Sequence, residues 1–423
     1  MKLFTRAKKH KTVLFISPTG DFSNGAECSV FQLMKFLAAT GHRVFNAYPA
    51  YSLFAEDVYR TAMQEADITP IRVDSLRWWP DAPGGDINTP ADAPADLDAI
   101  RILRQIIREN AVDIVITNTV NIYHGAIAAA EENTAHFWLI HEYPQDEFTY
   151  YYNKIGFISA YSDALFCVEG ALQSTLEPLL DMRKSGAFKK SESKIGTFLP
   201  YTNVEKLEER KAESFDLAQK QPHRIVCVGL LTEKKNQIEL LRAYAKLPRE
   251  LKETPLLFIG GYSENDSYWH LCNNFVASNS LQNVSFAGYL ENPWNYVSNQ
   301  DIVVLPSKSE TFGCVYTESL LCGIPVIAAD NPGFTTINKL FNAGKLYQCG
   351  NVDALTQAIK EILQNFNAEK AKAEAAAPRV RSAFTPQNAF VQLVKRIEAT
   401  KKPRRKHGYD ATRLNELLVK TTK

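Results

Sequence analysis

Long apolar runs are missing from this chain of 423 residues. No uninterrupted stretch reaches the roughly 20 apolar residues that cross a bilayer as a helix. Charge of one sign is missing too: 48 Lys and Arg against 47 Asp and Glu leave a net charge of +1. That balance gives no global field for nucleic acid, so none is expected as a partner. Cysteine is sparse, seven residues with no C-x-x-C pair and no histidines at zinc spacing. An odd, dispersed set excludes a disulfide framework and reads as reduced thiols of a cytoplasmic chain, and no metal site is assigned. A basic start, Met1 to Lys11, leads into the short run Thr12–Ile16, which is followed by Pro18 and Gly20 and not by a small-residue cleavage site. No signal peptide is expected from that pattern.

What the chain has is rhythm. Short apolar runs alternate with amphipathic stretches, and the series occurs twice. Strands are predicted over 12–17, 43–47, 113–117, 136–140 and 165–168, with helices such as 26–39 and 97–109 between them. After a polar, charged stretch from Tyr201 to Pro222 the rhythm restarts. Its strands are predicted over 224–228, 256–259, 284–286, 302–305 and 326–328, its helices over 237–247, 266–277, 314–322 and 352–364. Strands alternating with helices imply parallel sheets with crossovers, and two series imply two doubly wound α/β domains. Two regions look irregular. The stretch Asp74–Ala95 holds Trp78, Trp79 and Gly84-Gly85, and the tail after Thr400 carries five Lys and Arg within Lys401–Lys406. Long irregular loops are functional or disordered, and a basic end is either a solvated tail or a patch for anionic lipid.

The densest chemistry lies in Ser307-Lys308-Ser309-Glu310-Thr311-Phe312-Gly313-Cys314-Val315-Tyr316-Thr317-Glu318, which runs on to Gly323-Ile324-Pro325-Val326-Ile327. A strand ends, a loop carries Glu310 and Gly313, and a helix begins. Free N–H groups at a helix start attract phosphate, and glycine lets a ligand approach the backbone. Glu310 before the helix and Glu318 inside it can take hydroxyls at two ends of an elongated ligand. A sugar joined to a nucleoside diphosphate has that layout. The thiols of Cys314 and Cys322 are read as small core groups.

This frame resembles the donor-site signature of retaining glycosyltransferase family 4, the glycosyl transferases group 1. The segment Val228-Gly229-Leu230-Leu231-Thr232-Glu233-Lys234-Lys235-Asn236 is similar to the family's second donor segment, with Leu230 where the family has arginine. The loop Ser23-Asn24-Gly25-Ala26-Glu27 resembles its glycine-rich loop, and His141, after an apolar strand, matches the family position that contacts the donor sugar. Similar stretches are Ser162–Val168, Asn283–Tyr289 and Asn331-Pro332-Gly333, the last read as a loop. His124, Tyr143 and Tyr150–Tyr152 are weaker candidates near the first-half strand ends.

The resemblance implies a GT-B fold: two facing Rossmann-like domains at 1–200 and 201–378, a helix over 379–400 crossing back to the first, and a basic tail over 401–423. It implies transfer of a sugar to a growing glycan or glycolipid with retention of configuration, without metal or cofactor. Glu310, His141 and Lys235 fall at the reacting end. Gly25, Gly229, Lys234, Phe312, Gly313, Cys314, Val315 and Glu318 fall at the donor nucleotide. Lys235, read as opening a helix, would meet the diphosphate, and domain closure would exclude water. Such a protein works at the cytoplasmic face of a membrane, with its basic ends as anchors. Leu230 raises the alternative of a non-catalytic nucleotide-sugar-binding or scaffold subunit.

Overall fold

A computed structural model describes residues 10–22, 24–49, 53–74, 93–145, 148, 154–180, 195–200, 202, 204, 207, 209, 224–290 and 292–401. Much of 74–95, Tyr150–Tyr152, most of the polar stretch 201–222 and the tail beyond Lys401 lie outside these residues. The chain divides into two compact units, 1–201 with 386–423, and 202–385.

The first unit is a seven-stranded sheet. In chain order its strands are β1 (Thr12–Ile16), β2 (Arg43–Tyr48), β3 (Ile68–Arg72), β4 (Ile114–Asn118), β5 (Ala135–Ile140), β6 (Ala164–Val168) and β7 (Ile195–Phe198), and in space they lie 3-2-1-4-5-6-7. Every pairing is parallel; Val13 stands beside both Val44 and Ile114. Helices α1 (Gly25–Ala39), α2 (Leu53–Glu65), α3 (Ala93–Glu109), α4 (His124–Glu131), α5 (Ile155–Ala160) and α6 (Ala171–Leu176) form the crossovers described. A parallel sheet covered on both faces favours strands with long apolar runs, and Leu14, Ile116 and Trp138 of β1, β4 and β5 are buried.

The second unit repeats the plan. Its strands are β8 (Ile225–Val228), β9 (Leu256–Ile259), β10 (Val284–Phe286), β11 (Ile302–Leu305), β12 (Val326–Ala329) and β13 (Lys345–Tyr347), in spatial order 10-9-8-11-12-13, all parallel. Helices α7 (Gln237–Ala245), α8 (Ser267–Ser278), α9 (Cys314–Leu321), α10 (Pro332–Phe341), α11 (Val352–Gln364) and α12 (Phe366–Ala383) pack around it. In both sheets the order reverses beside the first strand, between β1 and β4 and between β8 and β11. That reversal opens a crevice at the strands' carboxyl ends, where open α/β sheets take ligands. Asp301 anchors the start of β11: Arg224 grips it twice, Nε to Oδ1 at 3.0 Å and Nη2 to Oδ2 at 2.7 Å, and the Ser298 amide donates to Oδ2 at 2.7 Å.

The structure moves the expected return point. Arg379–Ala383 finish α12 in the second unit, and the chain rejoins the first unit from Pro386. There α13 (Pro386–Ala389) and α14 (Val391–Ala399) are tied to β7 and β6: the Leu199 amide donates to Ala389, Gln392 bonds Thr197 through both its amide atoms, and Arg396 donates to the Asp163 carbonyl. No disulfide joins any of the seven cysteines.

Candidate functional site

Four loops at carboxyl strand ends carry the second unit's expected residues. β8 runs into Gly229, whose φ of +152° calls for glycine, although a Cβ there would meet nothing nearer than the Lys235 side chain at 3.8 Å. A Cβ on the neighbouring Gly260 would stand 1.9 Å from the Gly229 carbonyl oxygen, so two strand-end loops touch main chain to main chain. Leu230 follows, 60% exposed. Lys235 does not open a helix, as its sequence suggests. It closes a turn back to Thr232, then Asn236 turns left-handed at φ 57°, and α7 starts only at Gln237. Asn236 tolerates that conformation and donates its side-chain amide to the buried Glu239 in the first turn of α7.

The second loop follows β11. Its Lys308 amide donates to the Lys234 carbonyl at 2.8 Å, joining the two loops. Lys235 Nζ then meets Glu310 Oε1 at 2.5 Å. Gly313, at φ +101°, is the N-cap of α9 and offers no side chain to the first-turn amides. Cys314 and Val315 are half-buried at that helix start, and Phe312 is buried. One turn on, Glu318 accepts the indole N–H of Trp294 at 3.0 Å. Tyr316 pins the helix through its hydroxyl to the Ala343 carbonyl at 2.7 Å.

Asn331-Pro332-Gly333 is not a loop but the capped start of α10: Asn331 accepts the Phe334 amide, and Pro332 fills the first helical position. Its role is to clamp the signature loop. Asn331 Nδ2 donates to the Ser307 carbonyl at 2.9 Å and the Gly333 amide to the Glu310 carbonyl at 3.1 Å. A Cβ at Gly333 would lie 2.6 Å from the carbonyl oxygens of both Glu310 and Phe312. Gly313 in turn leaves room for the Phe334 ring, which a Cβ would meet at 2.3 Å.

In the first unit Gly25 is the first residue of α1, and a Cβ there would meet nothing within 4 Å, so packing does not require glycine. Asn24 caps that helix by accepting the Glu27 amide at 2.9 Å. His141 follows β5, half-buried, its ring edge on Phe198 and its Nε2 2.9 Å from Asn118 Oδ1. Burial pushes its pKa down to about 3, which keeps the ring neutral near pH 7. Next to it, burial pushes Glu142 up to about 7 against the amide N–H of His141. His124 is 1% exposed and stacked on Tyr123, a packing position. Sequence reasoning passed over Gly260 and Trp294, and gave no role of their own to Gly333, Asn118 and Glu27. Strand-end polarity at Asn118 and an acidic residue in the first turn of α1 were the available signals for the last two. Among the described residues no group of three or more His, Cys, Asp and Glu could hold a metal.

Residues 209–379, within the second unit, match the family described as Glycosyl transferases group 1. The chain is 29% identical over 161 residues to an N-acetylgalactosaminyltransferase of Campylobacter jejuni that acts on a diphospho-undecaprenol-linked sugar, covering 37% of this chain and 42% of that protein. It is 27% identical over 140 residues to O-antigen chain mannosyltransferase B of Escherichia coli, covering 33% and 36%. The match thus spans less than half the length of either relative. Across 92% of the chain it shares the fold of Anabaena Alr3699/HepE, solved in complex with UDP and covered in full, with a TM-score of 0.71 and 16% identity. The two parallel-sheet, Rossmann-like units read from the sequence are therefore those of the GT-B fold.

Proposed function

We propose that this chain transfers a sugar from a nucleoside diphosphate to a hydroxyl of a growing glycan or glycolipid, with retention of configuration and without a metal. The observation that carries the reading is the meeting of Lys235 and Glu310, 75 residues apart in sequence, beside the uncapped start of α9. An ammonium, a carboxylate and the amides of a helix start in one place suit a ligand with phosphates beside hydroxyls. Glu310 takes donor-sugar hydroxyls and Glu318 the ribose. Lys235, Lys234 and the backbone at Gly229, Phe312, Gly313, Cys314 and Val315 take the diphosphate, and Gly25 and His141 are proposed as ligand contacts of the first unit. Lys235 has three donors and spends one on Glu310, leaving two for phosphate oxygens.

In the step proposed, the bond from the anomeric carbon to the diphosphate breaks and the bond to the acceptor oxygen forms on the same face. The acceptor proton passes to the leaving phosphate oxygen, and the charge arriving there is met by Lys235 and the α9 amides. The names of the relatives support the acceptor class, since they build lipid-linked and O-antigen glycans. The basic stretch beginning at Lys401 is proposed to touch anionic lipid at the cytoplasmic face.

The second reading, a non-catalytic nucleotide-sugar binder, is motivated by Leu230. One screen separates the two. A ligand that binds only the folded state at a hundredfold excess over its Kd adds about 2.7 kcal/mol of stability. A thermal shift with one nucleotide-sugar series, lost in Glu318→Ala, accompanied by turnover that persists in EDTA, is the expected result. A shift with no transfer to any acceptor extract establishes the binder instead, and no shift at all retires both.

A further inference from the structure

Five polar side chains gather in the first unit where no solvent reaches. Ser17 follows β1, Asn46 lies on β2, Asn118 ends β4, Glu27 sits in the first turn of α1 and Tyr59 on α2, and Glu27, Asn46, Asn118 and Tyr59 are 0% exposed. The Tyr59 hydroxyl lies 3.2 Å from Glu27 Oε2, and Asn46 Nδ2 donates to Ser17 Oγ at 3.0 Å. Burying five polar groups costs stability unless each finds a partner, so a cluster this complete is built for something. Asn118 links the cluster to His141. That amide donates from Nδ2 to Glu27 Oε1 at 2.9 Å, and its Oδ1 stands 2.9 Å from His141 Nε2.

The chemistry of the amide then decides the imidazole. An amide oxygen only accepts, so the His141 nitrogen facing it must carry the proton. In a neutral ring the other nitrogen is a lone pair, and among the described residues Nδ1 has no hydrogen-bond partner. We propose that Glu27 and Asn118 are positioning residues for His141, holding it with Nε2 protonated so that Nδ1 accepts a hydroxyl of the bound sugar. The role given to Nδ1 rests on the transfer reading above; the arrangement of the three side chains does not. Glu27 acts by fixing which way the Asn118 amide faces. A reversed amide would set Nδ2 against the ring and impose the opposite tautomer, so the tautomer is the quantity to measure.

The experiment is nitrogen NMR of the full chain labelled on histidine nitrogens, with the His141 signals assigned by their loss in His141→Gln. Wild type is expected to show Nε2 protonated and Nδ1 bare. Glu27→Gln keeps an oxygen for Asn118 Nδ2 and keeps the tautomer. Asn118→Leu and Glu27→Leu release the ring, mix the tautomers and lower turnover roughly tenfold or more, the scale of a lost orienting partner. A wild-type ring protonated on Nδ1 overturns the proposal, as does a tautomer unmoved by both leucine variants. Should those variants fail to fold, the wild-type spectrum decides alone. No substrate is needed for the spectrum, so a protein with the expected tautomer and no transferase activity retires the transfer reading and leaves the arrangement standing. Transfer by a protein protonated on Nδ1 does the reverse.

Discussion

Lys235 Nζ and Glu310 Oε1 stand 2.5 Å apart, each delivered by a different strand-end loop of the second sheet. The two side chains are 31% and 14% exposed, so solvent screens the pair and it adds at most about 1 kcal/mol to stability. Charge held ready at so little cost to the fold is charge available to a ligand. Changing Lys235 to Met should therefore lower transfer by about a hundredfold or more while shifting Tm by only a few degrees. Glu310→Gln should do the same. Turnover rates beside thermal melts check this, and a variant with full turnover removes that residue from the site.

Trp294 should matter beyond packing. Its indole N–H is a charge-assisted donor to Glu318, and such bonds contribute about 1.5–3 kcal/mol. Trp294→Phe keeps most of the ring and deletes the donor to Glu318. Nucleotide affinity is expected to fall about tenfold with a small loss of Tm; titration calorimetry against the nucleotide found in the screen reads it directly.

Gly333→Ala tests the clamp. The added methyl would meet two carbonyl oxygens at 2.6 Å, and backbone does not yield as a side chain does. Overpacking of this kind costs about 1–3 kcal/mol, and here the strain falls on the loop that carries Glu310. Lower turnover at a temperature where the variant is fully folded is the expected outcome; unchanged turnover would show that the loop tolerates displacement.

Stability should fall as pH rises from about 6.5 to 8. Burial raises Glu27 to about 8 and Glu142 to about 7, so both hold a proton in the fold that the unfolded chain, with carboxyls near 4.5, has already lost. Their contribution is complete below pH 4.5 and drains away up to those values. His141 runs the other way: lowered to about 3, it is neutral in the fold while the unfolded ring is charged, so its contribution grows up to about 6.5 and then stays constant. Above that pH only the carboxyls change, at up to about 1.4 kcal/mol per pH unit for each. Denaturant titrations at pH 6.5 and 8 should show the drop, and Glu27→Gln should remove much of it.

Both sheets could be read from the chain because central parallel strands carry near-continuous apolar runs, and Leu14-Phe15-Ile16 or Ile302–Leu305 announce themselves. The strands that escaped, β3, β7 and β13, all lie at sheet edges. An edge strand is covered less and needs no unbroken apolar run, so β3 can carry Pro70 and an exposed Arg72. The signature loop was legible because phosphate and hydroxyl binding use dense, short-range patterns. Trp294, Gly333 and the Glu27–Asn118 pair were not, because each acts on a residue at least 23 positions away in sequence and only the fold brings them together.

The clamp at Gly333 bears on how such a site changes. The twelve residues from Ser307 to Glu318 do not hold their own shape; the cap and first turn of the following helix hold it for them. Transplanting that stretch into another strand-loop-helix would carry the letters without the grammar. A substitution at Asn331 or Gly333, far from any ligand in sequence, would edit the site as surely as one at Glu310.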